Sequence, residues 1–198
     1  ETLNNWARLL ERQGEYEEAE PLYRRSLAIA ENFYGPDHPE VATVLNNWAL
    51  LMHAQGKYAE AEPLYERSQA IREKALGPEH PGVATTLNNR AALLKAQGKH
   101  DQVEPLFKRS LAIDEKVYGP DHPEVATDLH KWAVLLCDRG KCDDAEPLCE
   151  RSRAIREKVL GPEHPDVAQS LDTRAKLLRM QGKYNEAEPL YERAQAIR

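Results

Sequence analysis

The sequence predicts an all-α chain of five helix-turn-helix hairpins stacked as a solenoid. Three observations carry that reading. The stretch LNNWALLMHAQGKYAEAEPLYERS, Leu45–Ser68, returns in altered form at Leu3, Leu87, Leu129 and Leu171, always at a spacing of 42 residues. Three columns stay small in every copy: Ala7, Ala49, Ala91, Ala133, Ala175; Ala19, Ala61, Val103, Ala145, Ala187; and Ser26, Ser68, Ser110, Ser152, Ala194. All thirteen prolines and nine of the ten glycines, Gly82 excepted, fall at fixed phases of the period, so the breakers mark helix ends instead of interrupting helices at random. Small side chains at fixed places let two helices approach closely, and a hairpin that cannot bury its apolar face alone does so by stacking on its neighbours.

Each element follows from local signals. First helices are predicted over Pro39–Gln55, Pro81–Gln97, Pro123–Arg139 and Pro165–Gln181, with a shortened copy reaching Gln13. Proline at the first helical position loses no helical hydrogen bond and presets φ. Gly14, Gly56, Gly98, Gly140 and Gly182 close these helices as left-handed caps. Second helices are predicted over Tyr16–Phe33, Tyr58–Leu76, His100–Tyr118, Cys142–Leu160 and from Tyr184 to the end. Acids at their starts (Glu17, Glu18, Asp143, Asp144) and bases at their ends (Arg72, Lys74, Arg156, Lys158) match the helix dipole. Each second helix carries a proline about one turn in, as at Pro63, which removes one backbone hydrogen bond. The linkers GPDHPEVA, GPEHPGVA and GPEHPDVA end one helix on Gly, turn the chain, and start the next on Pro.

The larger apolar residues also recur. They include Leu10, Met52, Leu94, Leu136 and Leu178, then a ring column of Tyr23, Tyr65, Phe107, Cys149 and Tyr191, and Ile29, Ile71, Ile113, Ile155 and Ile197. The step of three or four from Ala61 through Leu64, Tyr65 and Ser68 to Ile71 is one face of an amphipathic helix. The repeats are predicted to span about 1–34, 35–76, 77–118, 119–160 and 161–198, as one array over 1–198. The chain opens directly on a first helix and stops inside a second one, without polar capping helices, so we expect an excerpt of a longer protein.

A net charge of −6 with 30% charged residues gives no basic signal for nucleic acid. No apolar stretch is continuous enough to span a membrane. Three cysteines in one repeat make no disulfide framework, and a reducing, cytoplasmic setting is expected. His38, His80, His122 and His164 stand one per linker, which forms a ladder and not a convergent metal site, so they are assigned to the turns. Cys142 and Cys149 replace the tyrosines of other repeats and are expected to fill core, leaving the fourth hairpin the least well packed. Trp6, Trp48 and Trp132 share a slot with Arg90 and Arg174, expected to pack through the arginine stem. No phosphate loop, nucleophile elbow or HExxH motif is present, and neither an enzyme nor a cofactor is expected.

The pattern of a small residue, QG, Tyr, Ala, Tyr and Ser/Ala resembles the tetratricopeptide repeat. The 42-residue period, with LNN, QGKY, AEPLYERS, AIREK and GPxHPxVA, is similar to the long variant of kinesin light chains and to arrays found behind NB-ARC switch domains. This resemblance, which covers essentially the whole chain, implies a right-handed solenoid whose first helices line a concave groove. It further implies a non-catalytic scaffold holding a protein segment or extended peptide there. Asparagine in that groove is suited to a peptide backbone, because a carboxamide both donates and accepts. The implied positions are Asn4, Asn5, Asn46, Asn47, Asn88 and Asn89, replaced in the last two repeats by His130, Lys131, Asp172 and Thr173. Variable columns on the same helices add Arg8 and Lys176; His53, Lys95, Cys137 and Arg179; and Arg12. Six cations there face three acids (Glu11, Asp138, Asp172), which favours an acidic peptide. Two other readings stay open: a ligand-sensing array of an NB-ARC-type switch protein, and a structural spacer or end-to-end self-assembly module.

Overall fold

The computed structural model describes residues 2–198, and these form ten α-helices joined by short turns. They are α1 (Thr2–Gln13), α2 (Tyr16–Tyr34), α3 (Pro39–Ala54), α4 (Tyr58–Leu76), α5 (Pro81–Ala96), α6 (His100–Tyr118), α7 (Pro123–Asp138), α8 (Cys142–Leu160), α9 (Pro165–Met180) and α10 (Tyr184–Ile197). The hairpins are those expected. The first helices α3, α5, α7 and α9 each stop one residue earlier than predicted, because Gln55, Gln97, Arg139 and Gln181 serve as the C-caps. The second helices run through their internal prolines without interruption.

Two compact units divide the chain, Glu1–Ser110 and Leu111–Arg198, and the division falls inside α6. In the first unit α1 packs on α2 and α3 on α4, while α2 joins α3 and α4 joins α5. The first helices α1, α3 and α5 lie side by side. In the second unit α7 packs on α8, α8 on α9 and α9 on α10, with α7 beside α9.

The turn from α3 to α4 shows how the sequence stops a helix. Gly56 has φ +74, its N–H donates to the His53 carbonyl, and Lys57 N–H reaches back to Met52 O at 2.9 Å. This six-to-one closure requires a left-handed residue, which glycine supplies without steric cost. The linker histidines do more than turn the chain. His38, His80, His122 and His164 are N-caps in extended conformation, and their Nδ1 atoms accept the N–H of Glu40, Gly82, Glu124 and Asp166 at 3.0–3.2 Å. Each cap satisfies a donor that the first turn of a helix otherwise leaves open. Tyr34 stacks on His38, and Tyr118 on His122, at 4.5 Å between ring centroids.

The small columns sit where helices meet. Ala7, Ala19, Ala49 and Ala61 are fully buried in one cluster with Tyr23, Leu51, Met52, Tyr65 and Leu93. A second cluster joins Ala30 and Ile71 to Val41, Ala42 and Leu45. In the second unit Ala133, Leu136, Cys137, Ala145, Cys149 and Leu177 form the equivalent core of the fourth hairpin.

Neighbouring repeats are also tied on their polar faces. Arg67 meets Glu31 at 2.6 Å and Arg109 meets Glu73 at 2.8 Å in the first unit. Arg151 meets Glu115 at 2.6 Å and Arg193 meets Glu157 at 2.9 Å in the second. The slot shared by tryptophan and arginine faces the second helix of the preceding repeat. Arg24 lies 5.3 Å from the Trp48 ring, Arg90 pairs with Glu66, and Arg174 pairs with Glu150.

Arg72 and Arg156 are corrected by the structure. They lie before the last turn, which holds Lys74 and Lys158, and are buried, 8% and 4% exposed, with hydrogen-bond partners on the following helix. Arg72 Nη1 donates to the Gly82 carbonyl at 2.6 Å and to Thr86 Oγ1 at 2.8 Å. Arg156 repeats this with the Asp166 carbonyl and Ser170 Oγ, both at 2.9 Å. Each guanidinium therefore fastens a second helix to the first turns of the helix that follows.

Candidate functional site

The side-by-side first helices of the first unit present a polar face whose asparagines are hydrogen-bonded to one another. Asn89 Nδ2 donates to Asn46 Oδ1 at 3.1 Å, Asn46 Nδ2 to Asn47 Oδ1 at 3.5 Å, and Asn47 Nδ2 to Asn4 Oδ1 at 3.1 Å. The first member of each pair lies inward: Asn4, Asn46 and Asn88 are buried. Asn47 and Asn89 are half-buried, and Asn5 is exposed. A carboxamide offers two N–H donors and an acceptor with two lone pairs. Asn47 and Asn89 therefore keep bonding capacity beyond the ladder, and Asn5 lies outside it.

Beside this ladder opens a cavity of about 740 Å³. Asn5, Arg8, Asn47 and Arg72 line its polar side, and Ile29 and Phe33 its apolar side. Arg72 is the residue that the sequence reading missed here. Burial lowers the pKa of its guanidinium, and among the described residues no carboxylate forms an ion pair with it. The available signal was the recurrence of Arg72 and Thr86 as Arg156 and Ser170, at twice the period.

The remaining positions are distributed unevenly. Arg8 and Arg12 are exposed on α1. Glu11, on the same helix, turns to the hairpin partner and accepts a 2.9 Å hydrogen bond from the Tyr23 hydroxyl. Burial raises its carboxyl pKa, against the Tyr23 bond and the charges of Arg8 and Arg12. His53 occupies the same slot in α3, packs edge-on to Tyr58 at 5.6 Å, and has its pKa lowered by burial. Lys95 is half-buried in α5. Three cations, Arg8, Arg12 and Lys95, thus share these helices with one acid of the predicted set, Glu11.

In the second unit the same slots carry different chemistry. His130 is half-buried, and burial followed by the Arg156 charge pushes its pKa down to about 4, so it is neutral at physiological pH. Lys131 and Arg179 are exposed. Lys176 is held by Asp138 at 2.7 Å, which raises its pKa. Asp172 pairs with Arg198. Cys137 does not face an open surface: it is fully buried against Cys149. Of the acids set against the predicted basic face, Asp172 is therefore paired with a residue outside it, Arg198, while Asp138 is paired with Lys176, one of the six predicted cations.

Among the described residues, no group of three or more His, Cys, Asp and Glu side chains is placed to hold a metal ion. No helix among them is long and apolar enough to cross a membrane.

The family model described as the tetratricopeptide repeat matches residues 1–74, 40–116, 83–131 and 127–198, which together take in the whole chain. None of the curated proteins is significantly similar to it. Among solved structures, the chain is similar to the nearly identical TPR-like repeats of a Podosopora anserina protein assigned as a kinesin light chain. That match has 28% identity, a TM-score of 0.83, and covers 99% of this chain and 93% of that one. BtubC (BKLC) from P. vanneervenii is 26% identical, with a TM-score of 0.86 over 96% of this chain and 76% of that one. YrrB, described as a TPR protein with an unusual peptide-binding site, shares the fold at 15% identity and a TM-score of 0.59, covering 99% of this chain and 84% of that one.

Proposed function

Since this chain belongs to the tetratricopeptide-repeat family, we propose that it is a non-catalytic protein-interaction scaffold that holds an extended segment of a partner against its first helices. The observation that supports this most directly is the cavity of about 740 Å³ in the first unit. It combines free carboxamide capacity at Asn5 and Asn47 with the guanidinium groups of Arg8 and Arg72 and an apolar wall. An extended peptide presents N–H and C=O groups for the carboxamides and side chains for the wall. The proposed partner is acidic, because Arg8, Arg12 and Arg72 outnumber the acids beside them, and a buried guanidinium without a carboxylate gains most from an anionic ligand. Lys131, Lys176 and Arg179 with His130 and Asp172 make up the corresponding part of the proposal in the second unit. A cytoplasmic setting belongs to the same proposal, as three free cysteines suit a reducing compartment.

Fluorescence anisotropy with labelled extended peptides tests the main reading. Acidic peptides should bind, basic peptides of equal length should not, and Asn5→Ala combined with Arg8→Ala should weaken binding by about tenfold, or about 1.4 kcal/mol. Equal affinity for acidic and basic peptides, or no effect of the double variant, removes the proposal. Sedimentation that depends on protein concentration in the absence of peptide would favour self-association.

A further inference from the structure

We infer that Cys137 and Cys149 are a redox modification site, at which a hydroperoxide closes the two buried thiols into a disulfide joining α7 to α8. The first hairpin shows what these slots do. There they hold Glu11 and Tyr23, twelve residues apart, and the side chains meet across the hairpin in a 2.9 Å hydrogen bond. In the fourth hairpin both slots are cysteine, and the two side chains lie together in one buried cluster, with the Cys149 thiol placed to donate to the Cys137 sulfur. Both are free, 0% and 3% exposed, and share one cluster with Ala133 and Ala145, the small residues at which α7 and α8 approach closely. The third cysteine, Cys142, is half-buried in the same surroundings.

The pair is chemically asymmetric. The hydrogen bond from Cys149 holds the Cys137 thiol below the ordinary thiol range, against burial and with help from the Lys176 ammonium group. The Cys149 thiol is pushed up by the same bond and by burial. We take Cys137 as the nucleophile, because the Lys176 charge favours its thiolate whereas the Glu150 charge opposes one at Cys149, and the thiolate is the reactive form. Its sulfur attacks one peroxide oxygen and the O–O bond breaks. The other oxygen leaves as an alcohol, or as water from hydrogen peroxide, taking up a proton. Cys137 becomes a sulfenic acid, oxidised by two electrons as the peroxide is reduced by two. The Cys149 sulfur then attacks the Cys137 sulfur, and its proton leaves with the hydroxide as water. Two thiols and one hydroperoxide give one disulfide, one alcohol and one water. Hydrogen peroxide, close to water in size, reaches the sulfurs through local opening of the hairpin.

Treatment of the folded chain with hydrogen peroxide, followed by alkylation under denaturing conditions and peptide mapping, tests this. The expected product has lost two hydrogens, alkylates only at Cys142, carries a Cys137–Cys149 cross-link, and reverts with dithiothreitol. Cys142→Ser should retain the cross-link, and Cys149→Ser should stop at a Cys137 sulfenic acid that dimedone captures. The map of the unaltered chain does not depend on any variant folding. A cross-link to Cys142, a cross-link formed only in urea, or uptake of oxygen without loss of hydrogen overturns the proposal.

Discussion

Ser68 Oγ donates a 2.7 Å hydrogen bond to the backbone carbonyl of Ala42, twenty-six residues upstream. Ser152 does the same to Ala126 at 2.7 Å, and Ser110 to Ala84 at 3.3 Å. A column that reads in the sequence as merely small thus also fastens three second helices, α4, α6 and α8, to the first turn of their own hairpins. The two requirements separate under mutation. Ser68→Ala keeps the size and loses the bond, and should cost about 1 kcal/mol in urea denaturation. Ser68→Val loses the bond and overpacks a fully buried contact, adding about 1–3 kcal/mol. Equal stability of all three proteins would mean that neither the bond nor the close approach matters there.

Asp114 and Asp128 give the second unit a pH dependence. They are 5% and 1% exposed, share a hydrogen bond, and stand at the slots where Arg72 meets Thr86 and Arg156 meets Ser170. A proton there takes the place of a guanidinium. Burial, then the charges of Asp128 and Glu124, push the Asp114 pKa up to about 7, with Lys131 opposing. Burial raises the Tyr118 pKa, and the charges of Asp114 and Glu124 add to that rise. An unfolded aspartate ionises near pH ~3.9, so from there to about pH 7 the folded chain holds more protons than the unfolded one. The pair's contribution is complete below that window and lost as pH rises through it. Carboxylates such as Glu20 and Glu62, lowered chiefly by hydrogen bonds from Arg24 and Lys99, act in the opposite sense, so the comparison must be with a variant. The stability of the unaltered chain relative to Asp114→Asn should fall between about pH 4 and about pH 7. Parallel curves would show that the two carboxyls do not share a proton.

These two cases mark what a single sequence discloses. Helix limits were legible within one residue because Pro39 and Gly56, and their repeats, impose backbone geometry locally. The core was legible because Ala7, Ala19 and Tyr23 head columns that recur every 42 residues, Ala19 and Tyr23 one helical turn apart. Nothing local distinguishes Asp114 from a solvated acid or Arg72 from a helix-end base, since their burial is set by residues on the following helix. The proposed site has the same limit. Adjacent helical residues differ by roughly 100° in direction, so Asn4 turns inward while Asn5 stays open, and Asn47 and Asn89 are half-buried beside their buried partners Asn46 and Asn88.

The fourth hairpin should be the most easily opened. Cys149 stands where Tyr23 and Tyr65 fill the cores of the first two hairpins, and its neighbours include the small Cys137 and Ala145. Less apolar area leaves water here, which lowers the cost of local opening. Amide hydrogen exchange in α7 and α8 should outpace that in α3 and α4 in the reduced protein. Slower exchange in α7 and α8 than in α3 and α4 would show that the cysteine pair packs as well as the rings do.

Asn46 and Asn5 should respond to mutation in opposite ways. Asn46 is 4% exposed, donates to Asn47 and accepts from Asn89, so it links the first helices α3 and α5. Asn46→Ala leaves a carboxamide partner on each side without its bond inside a largely buried network. It should lower stability by about 1–3 kcal/mol whether or not a peptide is present. Asn5 is exposed and lies outside that network, so Asn5→Ala should leave the melting midpoint unchanged and act only on peptide affinity. Melting curves and anisotropy titrations on the two variants separate these roles. If Asn5→Ala melts lower, or if Asn46→Ala changes only affinity, the division of the asparagines into a hydrogen-bonded ladder and an open Asn5 is wrong.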